Sequence, residues 1–441
     1  MPKLELDLTK IYTLPENVCF EEIDDKYLAI SPDTANWILL NNSSQLKIYK
    51  FLASKRSIKD LIKNFPENSI KDIMYVLTEL EAKKFELKNV NHLPQHGMYI
   101  YLTNKCNQRC VHCYMYAGKE NENELSTDEI KNVLFDFANS GGKVVTFTGG
   151  EATTRVDFIE IVQFAKKQGL MVGVLSNGVL WTKRLINDVK NYIDEIQISI
   201  DGYDSNSYMN VRGTDSFCIV LNTIDELIKN NMRVTVAITP IISTLFGNEE
   251  KYILFAKRLL EKYREKEFFV KFNTELMNGR EIQPTIHENL KYKECITEIK
   301  KACSSNSMEE DFALDHRYNT VFDNCGYGGI TIASNGDVFF CNLISNCIRQ
   351  ANVRNDSFEK INELSKKAQK LSNINNLLPC KNCSIKYLCG GGCRVKYFKS
   401  LTSMKISLDC NEEMYRTTTC NKEYKDKILR LMVRANKFFY I

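Results

Sequence analysis

The stretch NKCNQRCVHCY, residues 104–114, places Cys106, Cys110 and Cys113 on one loop at x3 and x2 spacing. Spacings this short let three thiolates converge on one inorganic centre, and soft thiolates point to iron–sulfur or zinc. Three thiolates on a [4Fe–4S] cube leave one iron open, and an open iron binds a small chelating ligand. A zinc site would need a clear fourth partner, and none is evident beside this loop. The stretch directly follows the apolar run Met98–Thr103. From that run on, strand and helix patterns alternate. The expected strands are Met98–Thr103, Lys143–Thr148, Met171–Ser176, Glu195–Ile200, Arg233–Thr239 and Glu267–Asn273. Helical spacing appears at Thr127–Ala138, Phe158–Gln168, Lys183–Val189, Phe217–Lys229 and Glu250–Glu261. Such alternation predicts an α/β unit with a parallel sheet over 98–278. Six repeats fall short of the eight of a closed barrel. A partial (β/α)6 barrel leaves an open side for a large substrate.

A second cysteine constellation lies near the other end: Cys380-x2-Cys383-x5-Cys389-x3-Cys393, with Cys325 and Cys341 before it and Cys410 after it. Residues 325–420 are rich in Cys, Gly and Asn and poor in periodicity, a composition that usually needs metal to hold a fold. Here iron–sulfur clusters and paired zinc sites both fit the spacing. Residues 279–324 read as a bridging segment with one helix at Asn289–Cys303, and 421–441 as a C-terminal unit whose basic amphipathic helix covers Asn421–Phe438. Cys19, Cys218 and Cys295 lie in apolar patterns and are expected to be small buried hydrophobes. Cys420 competes with Cys410 but fits the spacing less well.

Residues 1–90 predict a separate α+β unit: strands Val18–Ile23 and Tyr27–Ser31 around the turn Asp24-Asp25-Lys26, a third at Trp37–Leu40, then helices Gln45–Ala53, Ile58–Phe65 and Ile70–Lys83. Asn89–His96 reads as a linker. The 441 residues allow about three domains at roughly 150 residues each. Hydrophobic content of 44% and charged content of 26% suit a globular protein. A net charge of +4, with no Lys/Arg run, argues against nucleic acid as partner. The start has no apolar signal region, and no run approaches the roughly 18 apolar residues of a membrane span. A cytoplasmic location follows as the expectation, and in a reducing compartment grouped cysteines favour metal over disulfides.

CNQRCVHC, ending the first strand, resembles the signature of radical S-adenosylmethionine (SAM) enzymes. More of that family's pattern follows in order. Gly149-Gly150-Glu151 resembles the motif that receives the methionine amino group; Ser176-Asn177 and Ser199 with Asp201 resemble ribose- and carboxylate-binding positions. Arg212 resembles the arginine that meets the SAM carboxylate, and His112 and Tyr114 resemble residues beside the adenine. The 325–420 block resembles the SPASM domain, which carries two auxiliary clusters. That resemblance assigns Cys380, Cys383, Cys389 and Cys410 to one, and Cys325, Cys341 and Cys393 to the other. The second cluster's fourth ligand stays open between Cys347, Cys303 and none, with Cys347 the nearer by spacing. Residues 1–90 more loosely resemble a RiPP recognition element, a winged-helix-like domain that grips the leader of a ribosomally made, modified peptide; a plain packing domain is the alternative.

The resemblance implies three [4Fe–4S] clusters, SAM cleavage to methionine and a 5′-deoxyadenosyl radical, and hydrogen abstraction from a leader-bearing precursor peptide. The expected product is an intrapeptide cross-link, carbon–sulfur or carbon–carbon, with electrons from an external flavodoxin- or ferredoxin-type donor. The alternatives are a sulfatase-maturing enzyme making formylglycine, a quinone-cofactor peptide cross-linking enzyme, and a non-catalytic metal scaffold. Against the sulfatase type, that group has an aspartate base after the Gly-x4-Cys cysteine, where this chain has Asn342.

Overall fold

The computed structural model describes residues 7–86, 91–92, 97–304, 308–315, 320–417, 420 and 422–440. The N-terminal unit opens with the antiparallel strands β1 (Cys19–Ile23), β2 (Lys26–Ile30) and β3 (Trp37–Leu40). Asp24 and Asp25 take positive φ, as a two-residue primed hairpin turn requires. One sheet face, with Ala29, Ile38 and Leu40, packs on helices Ser43–Ala53, Ile58–Asn64 and Ile70–Ala82. The other face, with Ile23, Leu28, Trp37 and Leu39, packs on Ile385 and Leu388 of the cysteine-rich region and on Leu429, Met432 and Ala435 of helix Lys422–Ala435. The sheet is therefore covered on both faces. Part of the expected linker is ordered: β4 (Asn91–His92) pairs in parallel with Thr320–Val321, while residues 89–90 and 93–96 lie outside the described residues.

The six expected parallel strands are present, each within two residues of its sequence bounds: β5 (Gly97–Tyr101), β6 (Val144–Thr148), β7 (Met171–Ser176), β8 (Glu195–Ser199), β9 (Val234–Ile238) and β10 (Phe268–Phe272). Alternation decides the faces. Met98, Ile100, Val145, Phe147, Val172, Val174, Ile196 and Ile198 are buried in the core. Tyr99, Leu175, Gln197, Ser199 and Lys271, on the alternate positions, line a cavity.

The sheet does not stop at six strands. Beyond β11 (Thr320–Val321), β12 (Thr331–Ile332) joins β5 in parallel, and β13 (Asp337–Phe339) and β14 (Ala351–Asn352) continue antiparallel. One nine-stranded sheet, β10-β9-β8-β7-β6-β5-β12-β13-β14, thus runs through the barrel and into the cysteine-rich region. That region also holds the helix Phe358–Ser372, which the low-periodicity reading missed. Its signal was present: Ser357 caps the start, and Ile361, Leu364, Ala368 and Leu371 form a buried stripe. Helix Ser205–Arg212, with an Asp204 cap and Gly213 as left-handed terminator, was also unread. Among the described residues no helix is long and apolar enough to cross a membrane.

Arg394 holds the loops of the cysteine-rich region together. It is fully buried, and its guanidinium donates to the carbonyls of Ser372, Gly390, Gly392 and Asp323. Arg394→Met is expected to leave those carbonyls unpaired and to cost about 3 kcal/mol or more. Denaturant unfolding of the variant against the parent would check this; an unchanged midpoint would refute it.

Candidate active site

Where β5 ends, the chain turns into the cysteine loop, and the ends of the next strands fasten it. The amide of Cys106 donates to the carbonyl of Gly118 at 3.0 Å, and Gly118 N–H returns to Asn104 at 2.9 Å. The backbone after β6 lies against this loop: Gly150 N–H donates to Thr103 and Glu151 N–H to Lys105, at 2.7 and 2.8 Å. A Cβ on Gly149, at φ +143°, would sit 2.4 Å from the Thr103 oxygen, and one on Gly150 would sit 2.3 Å from that of Lys105. These glycines are needed for backbone packing under the cysteines. Gly279 packs as closely on His112 from the other side, and Arg280 donates to the carbonyls of Cys110 and Ala117. Arg280 was not read as functional. Its only signal was NGR, residues 278–280, shortly after a strand.

Two of the predicted SAM-contacting acids are buried inside the protein. Glu151 accepts from Ser176 Oγ (2.8 Å), Asn177 N–H (2.8 Å) and Thr153 Oγ1 (2.6 Å), which ties the ends of β6 and β7 together. Asp201 is 1% exposed, accepts from Thr239 N–H at 2.6 Å, and pairs with Arg212 (2.5 Å) and His112 Nε2 (2.9 Å). Burial raises the Asp201 pKa, but Arg212 and His112 outweigh it and hold the carboxyl below its ordinary range. Glu151 and Asp201 therefore position the residues that line the cavity.

That cavity has a volume of about 950 Å³. Cys106, Cys110, Cys113, Tyr114, Gly149, Gly150, Ser176, Asn177, Ser199 and Arg212 all contribute to its wall. Among the described residues, His112 Nδ1 and Arg212 Nε are buried with no hydrogen-bond partner. Two unsatisfied polar nitrogens beside three thiols suit a zwitterionic ligand with a carboxylate, such as SAM. Burial pushes the Cys106 thiol up to about 11, so the thiolate form needs a cationic centre to stabilise it.

Comparison with known proteins agrees with this geometry. The radical SAM superfamily model matches residues 100–256. Residues 100–256 are a radical SAM domain. The chain is 33% identical over 141 residues to the Fe-coproporphyrin III synthase of Methanosarcina barkeri, covering 31% of this chain and 35% of that protein. It is 38% identical over 144 residues to the sporulation killing factor maturation protein SkfB of Bacillus subtilis, covering 32% and 34%. The matched stretch thus spans about a third of each relative's length. The structure of native anSMEcpe with bound AdoMet shares the fold, with TM-score 0.53 and 16% identity over 77% of this chain and 99% of that one.

Cys389, Gly391, Gly392, Cys393, Tyr397, Cys420 and Tyr424 line the same cavity as Cys106, Cys110 and Cys113. Cys341 and Cys347 are near neighbours, with Cys393 beside them and Cys325 beside Cys393, and Cys341 Sγ donates to Asn342 Oδ1 at 3.7 Å. Cys380, Cys383 and Cys389 form a second group. Cys389 Sγ donates to the Tyr424 hydroxyl at 3.9 Å, and Cys420 is close enough to perturb the same hydroxyl. Cys410 is absent from the cavity wall and packs against the main core. Cys303 donates to the Ile253 carbonyl, on a helix of the barrel. Cys218 is exposed rather than buried, and Cys19 and Cys295 are half-buried, Cys295 donating to Glu249 at 3.4 Å. A hydrogen-bonded chain links the two halves: Tyr114 donates to Tyr101 Oη at 2.8 Å, and Tyr101 donates to the Asn342 carbonyl at 2.7 Å. Glu275 is the one carboxylate of the wall among the described residues, paired with Lys396 across the gap between barrel and cysteine-rich region.

Asp201→Asn removes the counter-charge that holds Arg212 and His112. The variant is expected to bind SAM about tenfold more weakly and to lose about 1–3 kcal/mol of stability. Equilibrium dialysis with labelled SAM and thermal unfolding would check this, and wild-type affinity would refute the positioning role.

Proposed function

We propose that the chain is a radical SAM maturase that takes a hydrogen atom from a ribosomally made precursor peptide and closes a carbon–sulfur or carbon–carbon cross-link within it. The observation that carries this reading is the single cavity lined both by Cys106, Cys110 and Cys113 of the barrel and by Cys389 and Cys393 of the cysteine-rich region. At about 950 Å³ it has room for SAM and a peptide side chain together. In this reading Cys106, Cys110 and Cys113 hold a [4Fe–4S] cluster with one iron open to SAM. Gly149, Gly150, Ser176, Asn177, Ser199, Arg212 and Tyr114 surround the bound SAM. Together, SAM and the reduced cluster supply the radical chemistry, with electrons from a flavodoxin- or ferredoxin-type donor in the cytoplasm. The protein's own part is positional: Asp201 orients Arg212, and Glu151 fixes Ser176 and Asn177.

Two auxiliary [4Fe–4S] clusters complete the proposal. Cys325, Cys341, Cys347 and Cys393 hold one. Cys380, Cys383 and Cys389 hold the other, with Cys420 as the fourth ligand in preference to Cys410, because Cys420 shares the cavity wall and the Tyr424 contact with Cys389. The peptide as substrate is supported by the sheet-and-helix N-terminal domain, suited to gripping a leader, and by the likeness to a relative named for maturation. Asn342 stands where the formylglycine-forming type needs an acid–base residue, and an amide takes no proton there.

Replacing Cys106, Cys110 and Cys113 together by Ala is expected to abolish 5′-deoxyadenosine formation and to lower bound iron by about four per chain, one cube. A triple variant still producing 5′-deoxyadenosine would sink the assignment. Among single variants, Cys347→Ala and Cys420→Ala are each expected to change the iron content or the paramagnetic resonance spectrum, while Cys303→Ala and Cys410→Ala leave both unchanged. The opposite pattern for either pair would overturn that ligand.

A further inference from the structure

The end strand of the N-terminal sheet carries an unusual set of caps. β3 pairs with β2 on one side only. Trp37, Leu39 and Asn41 alternate along the chain, so their N–H groups point to its other side. Each is taken by a side-chain oxygen: Trp37 N–H by Asn36 Oδ1 (2.9 Å), Leu39 N–H by Glu79 Oε2 (2.8 Å) and Asn41 N–H by Gln45 Oε1 (2.7 Å). An edge strand with free N–H groups is a template for another strand. Here that template is occupied by the chain itself.

Glu79 belongs to a stripe along helix Ile70–Ala82 and its end, Tyr75, Glu79 and Lys83, spaced four residues apart and facing β3. Glu79 and Lys83 are almost completely buried, 3.5 Å apart. The segment Asn436–Tyr440, which follows helix Lys422–Ala435, completes the cluster. Asn436 Nδ2 donates to Glu79 Oε1 at 2.8 Å, and Lys83 donates to Asn436 Oδ1. Phe439 meets the Trp37 ring edge-on at 5.3 Å, and Lys83 Nζ lies 3.3 Å from the centre of the Trp37 ring and 4.8 Å from that of Phe439. A buried ion pair is weak evidence of stabilisation, since apolar residues of the same volume would often serve as well. A polar cluster that joins a groove to its occupant through side-chain hydrogen bonds fits an exchangeable contact better.

We infer that segment Asn436–Tyr440 closes the groove between β3 and helix Ile70–Ala82, and that a peptide docks there only by displacing it. This rests on the reading of the N-terminal domain as a leader-binding unit. The entering partner is an extended peptide whose main-chain carbonyls replace the side-chain caps on Trp37 and Leu39, with an aromatic or large aliphatic side chain in the place of Phe439 against Trp37 and Lys83. Closure lowers the apparent affinity for any such peptide by the fraction of molecules that are open.

The test uses the whole chain ending at Ile441, the chain ending at Ala435, and the full-length variant Phe439→Ala. The probe is a fluorescein-labelled synthetic peptide of residues 433–441, VRANKFFYI, read by anisotropy, with 5′-deoxyadenosine formation as the check that each protein is intact. The shortened chain and Phe439→Ala are expected to bind the probe at least about tenfold more tightly than the whole chain. Equal affinity in intact proteins would overturn the closure. Should the shortened chain lose SAM cleavage, amide exchange at Trp37 and Leu39 in Phe439→Ala decides: about tenfold faster exchange supports the closure, and unchanged exchange refutes it. A shortened chain that binds VRANKFFYI but not the precursor peptide would leave the closure standing and remove the leader-binding reading instead.

Discussion

Everything at the chemical end of the sheet depends on one buried carboxylate. Asp201 receives an amide from the end of β9, a guanidinium from helix Ser205–Arg212 and an imidazole from the cysteine loop. Three elements far apart in sequence are thereby held to one point. A buried charge is costly alone and tolerable with a guanidinium and further hydrogen-bond donors beside it. The same ionic contact leaves Arg212 Nε and His112 Nδ1 buried without a hydrogen-bond partner.

The second constraint is backbone proximity. Gly149, Gly150 and Gly279 bring two strands' trailing loops against the cysteine loop at distances no Cβ allows. The cysteine-rich region is tied to this platform by β12 on β5, by the Tyr114–Tyr101–Asn342 chain, and by the ion pairs of Lys396 with Glu275 and of Arg354 with Glu129.

The strand–helix alternation and the cysteine loop were legible because period and spacing are local properties. Six strands and five helices of the barrel fell within two residues of where the sequence put them. The roles inside the site were less legible. Glu151 and Asp201 are acids in the right order along the chain, but nothing local says that their oxygens are consumed by Ser176, Thr239 and Arg212. Arg280, Arg394 and the groove cluster around Glu79 are long-range polar contacts without a period. Cys420 and Cys410 differ only in where a loop carries them. Helix Phe358–Ser372 was legible and was missed because its neighbours are cysteine-rich.

The pairing of β12 with β5 has a consequence for how the protein is made. Thr331 must find Tyr99 across more than two hundred residues, and non-local pairings of that kind form late, after local strand–helix units. As synthesis proceeds, the barrel's cysteine loop exists while the region that will roof it is still missing. On that order the thiols of Cys106, Cys110 and Cys113 are exposed in the nascent barrel before Cys389 and Cys393 join them around the cavity.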